Sequence, residues 1–335
     1  RSRDVFEEIA GYVKPPLPPI PVVDDYAALE RHGLVKITVA SRAVIAGALR
    51  VMGYPAFHET LPDRVERLLR STNMRASKIF GPAYSATVAL SADPRNLTAI
   101  QRAATMVVAA RSFCEDVMSG RFPADEHRGQ PLEMGQYPNL FATSVIVEDG
   151  QARLYKSTCF DQVAVVVRRR IFTLQIGGQG AASAAQIARA LDDVVARANR
   201  APAVPDDEAL GALSAGDSKT VRRALTILER SPDDARSLAA LRDSLVVLCL
   251  DLDDNPSSAA HAAFATHAQN PANRWYLASL QIVVFGNASV GGICSFPAYL
   301  DGNVMMRGAA ELQRRAAATS ILVGDDAKPI GPAVE

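Results

Sequence analysis

The stretch Asn273-Arg274-Trp275-Tyr276-Leu277-Ala278-Ser279-Leu280-Gln281-Ile282-Val283-Val284-Phe285 decides how this chain is read. Its second half is apolar and β-branched, so Leu280–Phe285 reads as an inner strand of a sheet. Gly291 and Gly292 follow, and Cys294-Ser295-Phe296-Pro297 leads on to Asp301-Gly302, a pair suited to a turn after the strand. Neither the benzyl ring of Phe296 nor the pyrrolidine of Pro297 can accept a proton.

The order of these pieces resembles the choline/carnitine acyltransferase family. There the segment reads Asn-Arg-Trp-Phe-Asp-Lys-Ser-Leu-Gln, a short strand, a Gly-containing turn, then Glu-His-Ser-x-x-Asp-Gly. The resemblance implies that the histidine is the general base that takes the proton from the acceptor hydroxyl. Counted back from Asp301-Gly302, the Glu-His pair falls on Phe296-Pro297, and shifting the turn by one residue moves the histidine position only to Phe296. The family's Asp-Lys pair is Leu277-Ala278 here. Two further matches lie upstream. Leu17 to Pro21, inside a proline-rich arm at residues 14–24, resembles the family's Leu-Pro-x-Leu-Pro-x-Pro signature, and the helix that follows it there fits Tyr26-Ala-Ala-Leu-Glu. Residues 131–143 resemble its Pro-Leu-x-Met-x-Gln-Tyr-x-x-Leu-Phe-x-Thr, although the Arg-x-Pro that usually follows is absent at residues 144–147.

Equal numbers of basic and acidic residues, 36 each, leave no net field to favour nucleic acid or an anionic membrane surface. A hydrophobic content of 48% over 335 residues is that of a soluble globular chain with a substantial core, and no apolar run reaches bilayer length. Cys114, Cys159, Cys249 and Cys294 are scattered, without Cys-x-x-Cys spacing or a nearby histidine, so neither a zinc site nor a disulfide framework is expected. Reduced thiols and a cytoplasmic location follow. The chain opens on Arg1, which leaves open a removed targeting segment.

The pattern divides the chain into an arm with helices (1–75) and an α/β domain (76–335), a mixed sheet flanked by helices. Prolines at 15–21 exclude a helix there, and helical stretches are expected at 40–52 and 60–71. Apolar spacing predicts helices over 97–118, 184–198, 217–230 and 232–242, the last capped by Ser231. Strands are expected at Gln162–Val167 and 170–176, residues 244–251 form an apolar segment ending in acid, and 251–270 reads as a polar loop. Gly178-x-Gly180-x-x-Ser183, between a strand and a helix, nearly matches a dinucleotide fingerprint, but no βαβ continuation with an acidic strand end follows.

The resemblance implies a chloramphenicol-acetyltransferase-like half, with Cys294, Ser295, Phe296, Pro297 and Asp301 as the substrate-pocket candidates. Cys294 as a nucleophile would need a base to lower its pKa, and none is adjacent in sequence. His267 matches a family histidine that is not the base. No metal and no tightly bound cofactor are expected; an acyl-CoA or acyl-carrier thioester is the substrate that the resemblance implies. The family's back portion, which supplies most coenzyme A and acceptor contacts, has no counterpart in these residues. Two expectations follow. One is a non-catalytic structural or binding half, completed by a second polypeptide or a homo-oligomer. The other is an acyltransferase of a biosynthetic pathway, for acyl groups other than amino-acyl, passing them to an alcohol or amine with a histidine from another chain.

Overall fold

The computed structural model describes residues 85–127, 129–132, 134–148, 151–177, 180–206, 208–216, 218–294, 300–321 and 330–335. The proline-rich arm, the helices expected at 40–52 and 60–71, and the whole of 1–75 lie outside these residues. The strands are β1 (Ala86–Leu90), β2 (Glu126–His127), β3 (Gln130–Pro131), β4 (Thr143–Glu148), β5 (Gln151–Lys156), β6 (Gln162–Val167), β7 (Arg170–Gln175), β8 (Val247–Asp251), β9 (Leu280–Phe285) and β10 (Val290–Cys294). The α-helices are α1 (Ala99–Met118), α2 (Ala184–Arg200), α3 (Leu210–Ser214), α4 (Ser218–Leu228), α5 (Pro232–Arg242), α6 (Ala259–Phe264) and α7 (Gly302–Ala318).

Six strands form one mixed sheet in the order β1-β10-β9-β8-β6-β7. The inner strands β6, β8 and β9 run parallel, and each is buried along its full length. Parallel strands covered on both faces need apolar side chains at successive positions, which is why Val-Ala-Val-Val-Val and Leu-Gln-Ile-Val-Val-Phe read as continuous runs. The flanking pairs β1–β10, β10–β9 and β6–β7 are antiparallel. One face packs Val165, Leu248 and Ile282 under α1, α2 and α7; the other packs Val166, Cys249 and Val283 under α4 and α5. Thr98 and Ser183 cap α1 and α2 through reciprocal capping boxes with Gln101 and Gln186, while Ser231 caps α5.

The helices and strands expected within the described residues stand within a few residues. One reading is corrected: residues 251–270 are not a plain loop, because Ser258 caps α6 and a π-helical turn, Ala265–Gln269, follows it. Its Ala262 and Ala265 are buried, and such small side chains give little periodic signal.

The Asn273–Tyr276 motif holds the layers in register. Arg274 and Asp251 are both sealed from solvent and joined by a two-pronged ion pair, Nη2 to Oδ2 at 2.6 Å and Nη1 to Oδ1 at 3.1 Å. The same guanidinium donates to the carbonyls of Asn273, Thr266 and Ala265. Burial works to lower its pKa, but the Asp251 carboxylate outweighs that and raises it, so the charge is permanent. Asn273 donates Nδ2 to Asp251 Oδ1 at 2.7 Å and accepts the Arg169 N–H at 2.9 Å. Arg168 and Arg169 turn the β6–β7 hairpin with φ of 49° and 65°, a left-handed backbone usually left to Gly or Asn, and this bond holds it. The Gln281 Oε1 accepts the Trp275 N–H at 2.7 Å, tying the motif to β9.

Arg274→Met, which strands the Asp251 carboxylate, is expected to cost about 3–5 kcal/mol of unfolding free energy in a urea titration. The double variant Arg274→Met/Asp251→Leu should lose less than that single change, and a single-variant loss below about 1 kcal/mol contradicts the assignment. A Cβ on Gly291 would run into the Thr266 hydroxyl, whereas one on Gly302 meets nothing within 4 Å. Gly291→Ala should therefore cost about 1–3 kcal/mol and Gly302→Ala nothing measurable; equal effects would refute this packing.

Candidate functional site

The site that the motif points to lies where β10 leaves the sheet. Cys294, the last residue of β10, pairs with Ala86 of β1 and Leu280 of β9. The Cys294 side chain and all of Ser295, Phe296 and Pro297 lie outside the described residues. The chain returns at Leu300, which is buried, and Asp301 follows. Asp301 is not part of a plain turn, as its Asp-Gly pair suggested. It caps α7, its carboxylate accepting the Asn303 N–H at 2.7 Å.

The return point is clamped by a residue to which sequence reading assigned no chemistry. The Asp301 N–H donates to Gln136 Oε1 at 2.7 Å. Next along the chain, the Tyr137 hydroxyl donates to Asp125 Oδ2 at 2.5 Å, and Arg307 of α7 pairs with that same carboxylate while its guanidinium lies 4.9 Å from the Phe122 ring centre. Burial, reinforced by Asp125, pushes the Tyr137 phenol far above its ordinary range, so it acts as a fixed donor and not as an acid. The Met-Gly-Gln-Tyr motif and the start of α7 are thus cross-tied. The one available signal was that Gln136-Tyr137 and Asp301-Gly302 belong to two separately matched motifs.

The two histidines whose side chains are described, His261 and His267, lie in α6 and the π-helical turn that follows it. Thr266, in the π-helical turn that also holds His267, packs on the sheet face at Gly291, whereas Val304, Leu312 and Ala316 of α7 pack on the other face. His267 lends its carbonyl to the Tyr276 hydroxyl at 3.2 Å, and His261 accepts the Ser257 N–H at Nδ1 over 3.2 Å. The Cys114 and Cys249 thiols are each pushed up to about 12 by burial, which removes them as nucleophiles.

A small apolar cavity of about 20 Å³ sits between α1, α7 and the β1–β10–β9 edge, walled by Met106, Leu140, Ile282, Gly292, Met305 and Gly308. That is room for a methyl group or one water, not an acyl chain. A larger groove, about 540 Å³, lies at the far edge beside β7, and its Arg170 and Arg236 pair with Glu335 and Asp233 inside it. Of the glycine loop after β7, the described ends differ: Gly180, at φ 127°, has open space, and Gly177 does not. A Cβ on Gly177 would strike the Asp161 carboxylate and Arg111, and the Ser183 hydroxyl is spent on its own helix cap, while Gly178 lies outside the described residues. Among the described residues no helix is long and apolar enough to cross a membrane.

Comparison with known proteins places this arrangement. Residues 73–328 match the family described as choline/carnitine O-acyltransferase. Highly reducing polyketide synthase 17 of Metarhizium anisopliae is 26% identical over 294 residues, covering 82% of this chain and 9% of that protein. Mitochondrial carnitine O-acetyltransferase of Saccharomyces cerevisiae is 25% identical over 197 residues, 57% of this chain and 29% of that protein. Among solved structures, a chloramphenicol acetyltransferase aligns with a TM-score of 0.32 at 9% identity, covering 74% of this chain and 94% of that chain. The chain spans less than a third of the length of these curated relatives. The family match covers three quarters of the residues, including every motif around the β10 exit, and the chain belongs to the choline/carnitine O-acyltransferase family.

Proposed function

We propose that residues 1–335 act as a non-catalytic binding half of an acyltransferase fold, holding an acyl thioester for chemistry completed from outside these residues. One observation carries the reading. The position of the family's imidazole, counted from Asp301-Gly302, is Phe296 or Pro297, and no histidine follows His267 in the sequence. Abstraction of a hydroxyl proton needs a basic group within hydrogen-bond reach, and carbon side chains offer none. The scaffold residues Asn273, Arg274, Gln136 and Asp301 keep their bonds while the charged pair after the aromatic has become Leu277-Ala278, both buried. Shape is retained and reactivity is not. The thioester is carried by coenzyme A or by a carrier protein, and the similarity to a polyketide synthase over 82% of the chain favours the carrier.

A second reading is supported by that same scaffold: an acyltransferase to which another protomer or polypeptide lends its histidine across the clamped segment. The purified chain, given acetyl-CoA or octanoyl-CoA with carnitine, is expected to release thiol at the rate of buffer alone. Release well above buffer that survives replacement of all five histidines would overturn both readings. Release that disappears with those replacements would overturn the non-catalytic reading alone.

A further inference from the structure

α4 turns its two faces to different tasks. Val221 and Leu225 sink into the core beneath it, beside Val145 of β4. Arg222, Arg223, Thr226 and Ile227, with Arg230 just past the helix end, are exposed. At 3.6 residues per turn these five positions fall within an arc of about 140°. Ile227 is 53% exposed at one edge of that arc, with Arg223 beside it.

The nearby carboxylates do not neutralise this face. Glu229 pairs with Arg242 at 2.5 Å, and Asp233 pairs with Arg236. Among the described residues Arg222, Arg223 and Arg230 have no carboxylate partner, in a chain whose formal charge is zero. Three guanidinium groups without a carboxylate partner and an exposed aliphatic side chain at one edge make a small cationic surface with an apolar flank.

Its place in the fold gives the surface a use. β4, which α4 covers, is joined to the residues that open β9: the Val145 N–H donates to the Leu277 carbonyl at 2.8 Å and the Ser279 N–H to the Thr143 carbonyl at 2.9 Å. Leu280 then pairs with Cys294, where β10 exits. The cationic helix therefore neighbours the segment that opens β9, on the sheet face opposite α7.

We infer that the outer face of α4 docks an acidic helix of an acyl-carrier protein, its carboxylates pairing with Arg222, Arg223 and Arg230 and an apolar side chain covering Ile227. The inference rests on the reading that the thioester arrives on a carrier. Free coenzyme A suits this surface poorly, since a convex helix face encloses no ligand and neither cavity described above includes these residues. A membrane or nucleic acid needs a broad field, which a neutral chain with one small patch lacks. Exposed charges of this kind set association rate and salt dependence, and the aliphatic residue beside them adds contact energy.

The test is a titration of the immobilised chain with a phosphopantetheinylated, net-negative acyl-carrier protein at low and high salt. Wild type should bind at low salt and weaken as salt rises. Arg222→Glu/Arg223→Glu should weaken low-salt binding at least about tenfold, Ile227→Asp about fivefold or more, and Arg121→Glu, an exposed arginine on another surface, should change nothing. All these side chains lie at the surface, so circular dichroism should report the wild-type fold. No binding by wild type, the same affinity after the double reversal, or equal affinity for polyglutamate or anionic vesicles overturns the inference. The titration reads association and the thiol assay reads chemistry, so failure of one does not imply failure of the other.

Discussion

Burying Arg274 against Asp251 removes two full charges from water, at several kcal/mol per ion, and only a nearly complete set of hydrogen bonds offsets that cost. The fold is organised around supplying them. Asp251 ends β8, Asn273 arrives from the other side, and the π-helical turn offers the carbonyls of Ala265 and Thr266. Moving any one of these elements would orphan a buried charge. The pair therefore fixes the end of β8, the lead-in to β9 and the strained Arg168-Arg169 hairpin at once. A motif that looks catalytic in sequence is in the structure a structural joint.

That joint does not depend on which residue stands at the family's imidazole position. The ion pair, the Gln281–Trp275 bond and the Gln136–Asp301 clamp make no contact that depends on an imidazole at residue 296 or 297. Selection on folding alone would keep Asn273, Arg274 and Asp251 and leave the proton acceptor free to change. The buried Leu277 and Ala278 fit the same logic, since apolar side chains there pack under α4 and α5 where a charged pair would need partners.

The fold was largely readable because its inner strands are covered on both faces. Such strands are apolar at nearly every position, with Gln162 and Gln281 the exceptions, and the runs at Gln162–Val167 and Leu280–Phe285 are therefore plain in the sequence. Helices with capping signals, such as Ser231-Pro232, were equally legible. The segment at 251–270 was not, because its turns are built from alanine, which is as much at home in a loop pattern as in a helix. The hairpin at Arg168-Arg169 carries no Gly or Asn; tertiary bonds from Asn273 and to Asp206 impose it. The site was half legible. Spacing set Phe296 or Pro297 at the family's imidazole position, whereas the clamp between Gln136 and Asp301 joins residues 165 apart and leaves no local pattern. The arginine face of α4 was hidden in the neutral total, because the balancing acids lie elsewhere.

The account stands on the sequence placing Phe296 or Pro297 at the family's imidazole position, and the pH dependence of thioester cleavage tests it most directly. With acetyl-CoA and carnitine, the rate in the presence of the purified chain should follow the buffer-only profile throughout, with no step near the ordinary imidazole value of about 6.5. A sigmoidal rise centred near that value, dependent on the chain, would mean that a histidine of this molecule does the work, and the account would fail.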